Sequence, residues 1–359
     1  MDPGRLCLSG VLIGLVNGCA RGPAGPVKDP ASTSTTESDP PPVEESLQER
    51  LHEPTIIGRT LEGDLTSARL AVLSTDSLTV SIYDLGTLGV LPHLRDITLP
   101  AGRALDLWVE GELLLVVMES LSPGRGDLLV YDLANPDSIH VAAGLDLDWA
   151  HSVVVRDSFA YVANWQGVTV VQLNDGEPNE AGRWLSPDPV LEPDELFLLG
   201  DRLYLGGVGA LGVVDVSDPS QPTTVTLVPY EGAVLHNIAG TAGALYTTDE
   251  SVDGAFRVWN LDDPDLPIPG EPLSNLTNPM IYPLAVAHDH LAGAFYHDGV
   301  RVWSVAEPTE LDEVAQFDTC GCDSDTARPG DGAQVLWAEG TLIAAIDLPG
   351  GLYLWEWAP

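Results

Sequence analysis

One short motif governs this chain. It consists of apolar residues, a polar residue and a further apolar residue. It occurs as Ile82 to Leu85 (IYDL), Val130 to Leu133 (VYDL), Val170 to Leu173 (VVQL), Val213 to Val216 (VVDV), Val258 to Leu261 (VWNL), Val302 to Val305 (VWSV) and Leu354 to Trp357 (LWEW). The polar positions Asp84, Asp132, Gln172, Asp215, Asn260, Ser304 and Glu356 follow one another at steps of 48, 40, 43, 45, 44 and 52 residues. A repeat of that length cannot bury its apolar faces alone, so copies must stack on one another. Spacing near 40 to 45 residues in a strand-rich chain is that of propeller blades of four strands each.

The rest of each unit has a matching grammar. Before the motif lies a strand such as Ala160 to Ala163 (AYVA) or Leu203 to Gly206 (LYLG), and before that another apolar run such as Ser152 to Val155 (SVVV). Tight turns separate them, for example Arg156-Asp157-Ser158 and Gly200-Asp201-Arg202. Asp and Gly suit such hairpins because they tolerate positive φ. After the motif come turns such as Ser217-Asp218-Pro219 and Asp262-Asp263-Pro264, then a more polar strand such as Thr223 to Leu227. No segment shows a helical period. The expected fold is therefore all-β: a seven-bladed propeller of four-stranded antiparallel blades, with six or eight blades as the alternatives. The last copy of the motif has no strand after it. The segment Thr55 to Thr60 precedes the first blade and is expected to supply that strand, closing the ring and removing an open sheet edge.

The residues Leu211 to Pro222 (LGVVDVSDPSQP), with the strand before them, closely resemble the LVIVD repeat of bacterial exported propellers. The other units match in outline over residues 55 to 359, with Gln172, Asn260, Ser304 and Glu356 departing at the motif's aspartate. The resemblance implies a propeller and an exported location. It brings no settled catalytic residues.

The N-terminus reads as an export signal. Arg5 is followed by the apolar run Leu6 to Val16, which is too short to span a bilayer as a helix. Val16-Asn17-Gly18-Cys19 then resembles a lipobox, which implies lipidation of Cys19, with an ordinary cleaved signal as the alternative. Ala20 after that cysteine implies outer-membrane sorting in a Gram-negative cell. The following stretch is rich in Pro, Ser, Thr and acid and too poor in apolar side chains to fold. The expected organisation is a signal at 1–18, a disordered tether at 19–53 and a propeller at 54–359. The only attachment to a membrane would be the lipid.

The formal net charge is −39, and Lys28 is the only lysine. Such a chain repels phosphate backbones and anionic headgroups, which excludes nucleic acid as a partner. The charge serves solubility, or it attracts divalent cations or a basic partner.

A ligand site is expected on the face around the channel, where the innermost strands begin. Aligned by eye, those starts place Leu105, His151, Glu195, His236, Pro283 and Gln334 in one column. His151, Glu195, His236 and Gln334 are the candidate ligand residues. Two imidazoles and a carboxylate suit Zn²⁺ or acid–base work, and hydrogen-bonded lining residues are the plainer reading. Trp149 and Trp165 fall near the same face and could stack on a sugar or another flat ligand. Trp108, Trp259, Trp303, Trp337 and Trp355 are expected to pack between blades. Cys320 and Cys322 would form a tight local disulfide in an oxidising compartment, or serve as free thiols, or bind a metal with His297. Asp323, Asp325 and Asp331 offer carboxylates for Ca²⁺, without the spacing of a known calcium loop.

The functional expectation is a monomeric, lipid-anchored scaffold of the cell envelope that binds an envelope or extracellular protein or a glycan without catalysis. The alternative is a metal-dependent hydrolase or lactonase-like enzyme with its site at the channel mouth. There is no Gly-x-Ser-x-Gly elbow, P-loop, His-Glu-x-x-His or Rossmann fingerprint.

Overall fold

The computed structural model describes residues 46–359 apart from 121–125, 135–140, 175–176, 189–190, 250–255, 273–281, 297, 320–331, 349 and 359. Cys19, the signal, the tether up to residue 45, His297, Cys320, Cys322, Asp323, Asp325 and Asp331 all lie outside the described residues.

The described chain is a ring of antiparallel β-sheets, each contributing its first strand to the channel wall. Five sheets have four strands, and one has six. The six-stranded sheet is two blades joined by continuous strands. Arg202–Asp215 holds the second and third strands of blade 4, and Thr223–Gly240 holds the fourth strand of blade 4 and the first of blade 5. Counted this way the propeller has seven blades, as the repeat predicts. Its inner strands are Thr60–Asp64, Gly102–Glu110, Val153–Arg156, Pro193–Leu199, the end of Thr223–Gly240, Tyr282–Ala287 and Gly332–Glu339.

Every copy of the motif lies in the third strand of its blade, and one device fixes it in place. The last apolar residue is buried each time: Leu85, Leu133, Leu173, Val216, Leu261, Val305 and Trp357. Its backbone N–H donates to the turn between the first two strands, at the carbonyls of Ala68, Glu112, Ser158, Asp201, Gly243, Asp289 and Thr341, over 2.7–3.0 Å. The motif's polar side chain then bends the chain into the fourth strand. Asp84, Asp132 and Asp215 each accept a hydrogen bond from the N–H two residues on, at 2.7, 2.8 and 2.8 Å. Asn260 and Ser304 do the same at 2.7 and 3.3 Å. These are local Asx and Ser turns. The repeated aspartate is thus a turn former.

Between blades the side chains interlock. Trp259, Trp303, Trp337 and Trp355 are buried as expected, while Trp108 is half-buried. Trp337 lies so close to blade 1 that a side chain at Gly63 would meet its ring at 2.7 Å. The hydroxyls of Tyr204 and Tyr246 each donate to a proline carbonyl in the next blade, at Pro264 and Pro308, over 3.0 and 2.9 Å.

Closure differs from the expectation in one respect. The strand that completes the last blade is Ser46–Glu53, antiparallel to Gly351–Ala358. Thr55 to Thr60 is instead the connection into blade 1, where Ile56 is buried and Thr60 opens the first inner strand. The expected tether boundary at residue 53 and propeller start at 54 are corrected accordingly, because the propeller already includes Ser46. The physical reason is a bulge at Arg50. It turns Leu47 toward Trp355 and Trp357 on one side of the blade and Leu51 toward Leu352 and Leu354 on the other. Strict alternation is lost, and the strand's remaining surface is charged and exposed.

Candidate functional site

The inner strands surround a cavity of about 1240 Å³ to which all seven blades contribute. His151, Glu195, His236 and Gln334 all line it. The level of each side chain is set by a bulge near the start of the inner strand. Ladder pairing skips one residue between Ala104 and Asp106, Pro193 and Glu195, Leu235 and Asn237, and Ala333 and Val335. The skipped residues are Leu105, Asp194, His236 and Gln334. In blade 3 the N–H of His151 donates to Ala163 at 3.0 Å, and in blade 1 the N–H of Arg59 donates to Leu73 at 2.9 Å, which are equivalent positions. In blade 6 the skipped residue, Pro283, lies one step further along.

The ring at the channel mouth is therefore Arg59, Leu105, His151, Asp194, His236 and Gln334. The expected column is corrected by one residue in blade 4, where Asp194 replaces Glu195, and gains Arg59 in blade 1. A bulge adds a residue without changing composition, so alignment by eye is free to slip by one there. Counting outward from the turn between first and second strands would have revealed it.

Asp194 joins the two histidines. His151 Nε2 lies 3.0 Å from Asp194 Oδ1, and His236 Nε2 lies 3.7 Å from Asp194 Oδ2. His151 Nδ1 also lies 2.8 Å from the Asp194 carbonyl oxygen. Both nitrogens of that ring thus face oxygens of Asp194. Among the described residues no group of three or more His, Cys, Asp or Glu side chains is placed to hold a metal ion. The His151, Glu195, His236 metal set is not assembled, because Glu195 belongs to the next level of the channel.

That next level is acidic. Asp106 accepts the N–H of Val153 in the neighbouring blade at 2.8 Å and that of Leu107 at 2.9 Å. Glu195 accepts from Ser152 Oγ at 3.3 Å. Glu62 faces the same cavity from blade 1. Each carboxylate keeps some surface toward the lumen, but protein encloses the lumen, and burial disfavours the charged form. Burial pushes Asp106 up to about 6, against its two backbone donors. Burial, then the charges of Asp106 and Asp194, raises Glu195 well above the usual carboxylate range. Burial, then Asp106, Glu339, Glu195 and Asp64, does the same to Glu62.

Trp149 and Trp165 meet each other. Their rings are stacked 4.6 Å apart and 5° from parallel, with Trp165 exposed. Each indole covers one face of the other, so the expected platform is closed on its inner faces, and Trp165 is the more exposed of the two rings.

The family comparison falls on these blades. Two segments, residues 149–184 and 194–228, match the LVIVD repeat. Blades 3 and 4 carry LVIVD repeats. They hold His151 and Asp194 at the mouth. No curated protein matches the sequence. Among solved structures, the β-propeller domain of Cps50 (Swd1) from Myceliophteria thermophila is similar, with a TM-score of 0.62 and 16% identity over 87% of this chain and 100% of that one. BamB from Moraxella catarrhalis gives 0.53 and 12%, covering 83% of each chain. The computationally designed protein Ika8 gives 0.54 and 12% over 86% of this chain and 98% of that one. At these identities the likeness is one of fold.

Proposed function

We propose that this protein is a non-catalytic binding scaffold of the cell envelope, attached through a lipid on Cys19, whose ligand face is the channel mouth. The observation that carries the reading is the contrast within each blade. The outer strands repeat one structural device, while the mouth presents a different side chain from nearly every blade around a cavity of about 1240 Å³. Varied polar groups on a rigid repeated frame suit recognition, since the frame supplies the order that binding would otherwise have to impose. The Asp194 carboxylate, 3.0 Å from His151 and 3.7 Å from His236, occupies the histidines in a way that favours that role over metal-assisted hydrolysis. The run Leu6 to Val16 followed by Cys19 supports the anchor. A glycan or a protein of the envelope is the class of partner that such a location presents.

Two measurements test this. The full chain should fractionate with membranes and incorporate labelled fatty acid, and a Cys19→Ala variant should do neither; equal label in both removes the anchor. An array of envelope and extracellular glycans and peptides should show binding that Asp194→Ala together with His236→Ala weakens. Binding unchanged in that variant would move the ligand face elsewhere.

A further inference from the structure

Among the described residues of this strongly acidic chain, five of the ten arginines are closely paired with acid. Arg50, Arg156, Arg183, Arg202 and Arg301 each have a carboxylate oxygen within 3.5 Å. Arg59 is different. It is half-buried, lines the cavity at the mouth and has no carboxylate partner among the described residues. Its side chain is nonetheless held, because Nη1 donates to Ser77 Oγ at 2.8 Å. Ser77 is itself buried and adopts φ +59, a left-handed conformation costly for a residue with a Cβ. The loop around it is locked by further bonds, from Leu78 N–H to Asp76 at 3.0 Å and from Thr79 N–H to Ser74 Oγ at 3.0 Å.

A second arginine stands beside the first. Arg103, near the start of the adjacent inner strand, lines the same cavity. Its side chain is 58% exposed, and its ion pair with Glu119 is long at 3.8 Å. The two are close enough that Arg103 adds to burial in lowering the Arg59 pKa. After burial, the strongest influences on Glu62 are the carboxylates Asp106, Glu339, Glu195 and Asp64. Two like charges thus line one cavity from neighbouring blades, Arg59 with no carboxylate partner among the described residues and Arg103 with a single long one. A guanidinium presents a planar fork of donors that matches the paired oxygens of a carboxylate or phosphate.

We propose that Arg59 and Arg103 form a binding site for the oxyanion of a small acidic ligand, a carboxylate or a phosphate, at the channel mouth. The site rests on the recognition role proposed above and names the chemistry of what is recognised. The other side chains of the lumen include the carboxyl groups of Glu62, Asp106 and Glu195, which carry no positive charge for an anion, so the ligand's charged group is confined to the arginine side. Its uncharged remainder reaches over the lumen toward His236 and Gln334.

Isothermal titration of the full chain with D-glucuronate, glucose 6-phosphate and neutral glucose tests the site. The expected result is binding of at least one charged sugar and none of glucose, with the stronger of the two identifying the preferred oxyanion. Arg59→Gln should weaken that binding by about tenfold or more, as loss of a charge-assisted pair does. Arg59→Lys should retain part of it, and Ser77→Ala, which keeps the charge but removes its support, should fall between. Thermal melts establish that each variant is folded. Equal binding of glucose, absence of binding by both charged sugars, or unchanged affinity in a folded Arg59→Gln, Arg103→Gln variant overturns the proposal. Glycan or peptide binding that persists in that double variant would leave the scaffold role standing while this site fails.

Discussion

The third strands of the blades and the first turns of their inner strands belong to the same repeat, yet they carry opposite kinds of information. In the third strand the side chains are interchangeable. Asp84, Asn260 and Ser304 make the same turn, and buried Leu, Val or Trp closes the same backbone bond in all seven blades. At the mouth the backbone is shared and the side chains are not. Arg59, His151, Asp194 and Gln334 occupy equivalent positions with different charge and hydrogen-bonding capacity. Stability is thus spread over repeated contacts, while specificity is concentrated in a ring that the fold does not need in any particular form.

This division is open to attack, most severely at the closing strand. Deleting residues 46–53 should abolish cooperative folding. It leaves Gly351–Ala358 as an open edge and removes the Arg50–Glu356 pair at 2.9 Å and the stacking of His52 on Tyr353 at 4.1 Å. Size-exclusion chromatography and a thermal melt read the result; a monomer with an unchanged melt would show that closure is dispensable.

Next comes the repeated core. Trp355 is 1% exposed between Tyr353 and Phe317. Trp355→Ala should cost about 3–5 kcal/mol in denaturant unfolding. A cost no larger than that of a mouth substitution would erase the contrast.

A smaller loss is expected at a motif aspartate. Asp215 accepts from the N–H of Ser217 at 2.8 Å and pairs with Arg202 at 2.8 Å. Asp215→Ala should cost about 1 kcal/mol, the usual worth of a local side-chain cap. Asp215→Asn should recover much of it.

The channel acids should show the smallest effect, with the opposite sign. Their folded pKa values lie above the unfolded ones, so the native state holds extra protons. Stability is then greatest below the ordinary carboxylate value of about 4 and is lost as pH rises through the folded value, about 6 for Asp106. Burial and the surrounding carboxylates disfavour the Glu62 charge, so Glu62→Gln should stabilise the protein by on the order of 1 kcal/mol at pH 7 and flatten the decline. Calorimetric melts between pH 4 and pH 8 check this, and a destabilised Glu62→Gln would mean that its charge is compensated.

The propeller was legible because one apolar motif recurs at blade spacing and survives substitution. The closing strand was not. Ser46 to Glu53 gains its structure from pairing with Gly351–Ala358 across almost the whole chain length, and a bulge at Arg50 scrambles its alternation. The same kind of defect hid Asp194. Pattern reading placed Glu195 among the histidines, although its charge belongs one level deeper, beside Asp106. Arg59 was lost with the misplaced start of blade 1. Trp149 and Trp165 were placed on the right face, but nothing local could show that they would cover each other.

By itself the sequence determined the repeat, the strand order within a blade and the turns that join strands, because these depend on residues a few positions apart. Only the tertiary structure decided which strand closes the ring and which side chains share the mouth. Those depend on ladder register, and register is set by pairing between segments whose own composition is indifferent to a slip of one residue.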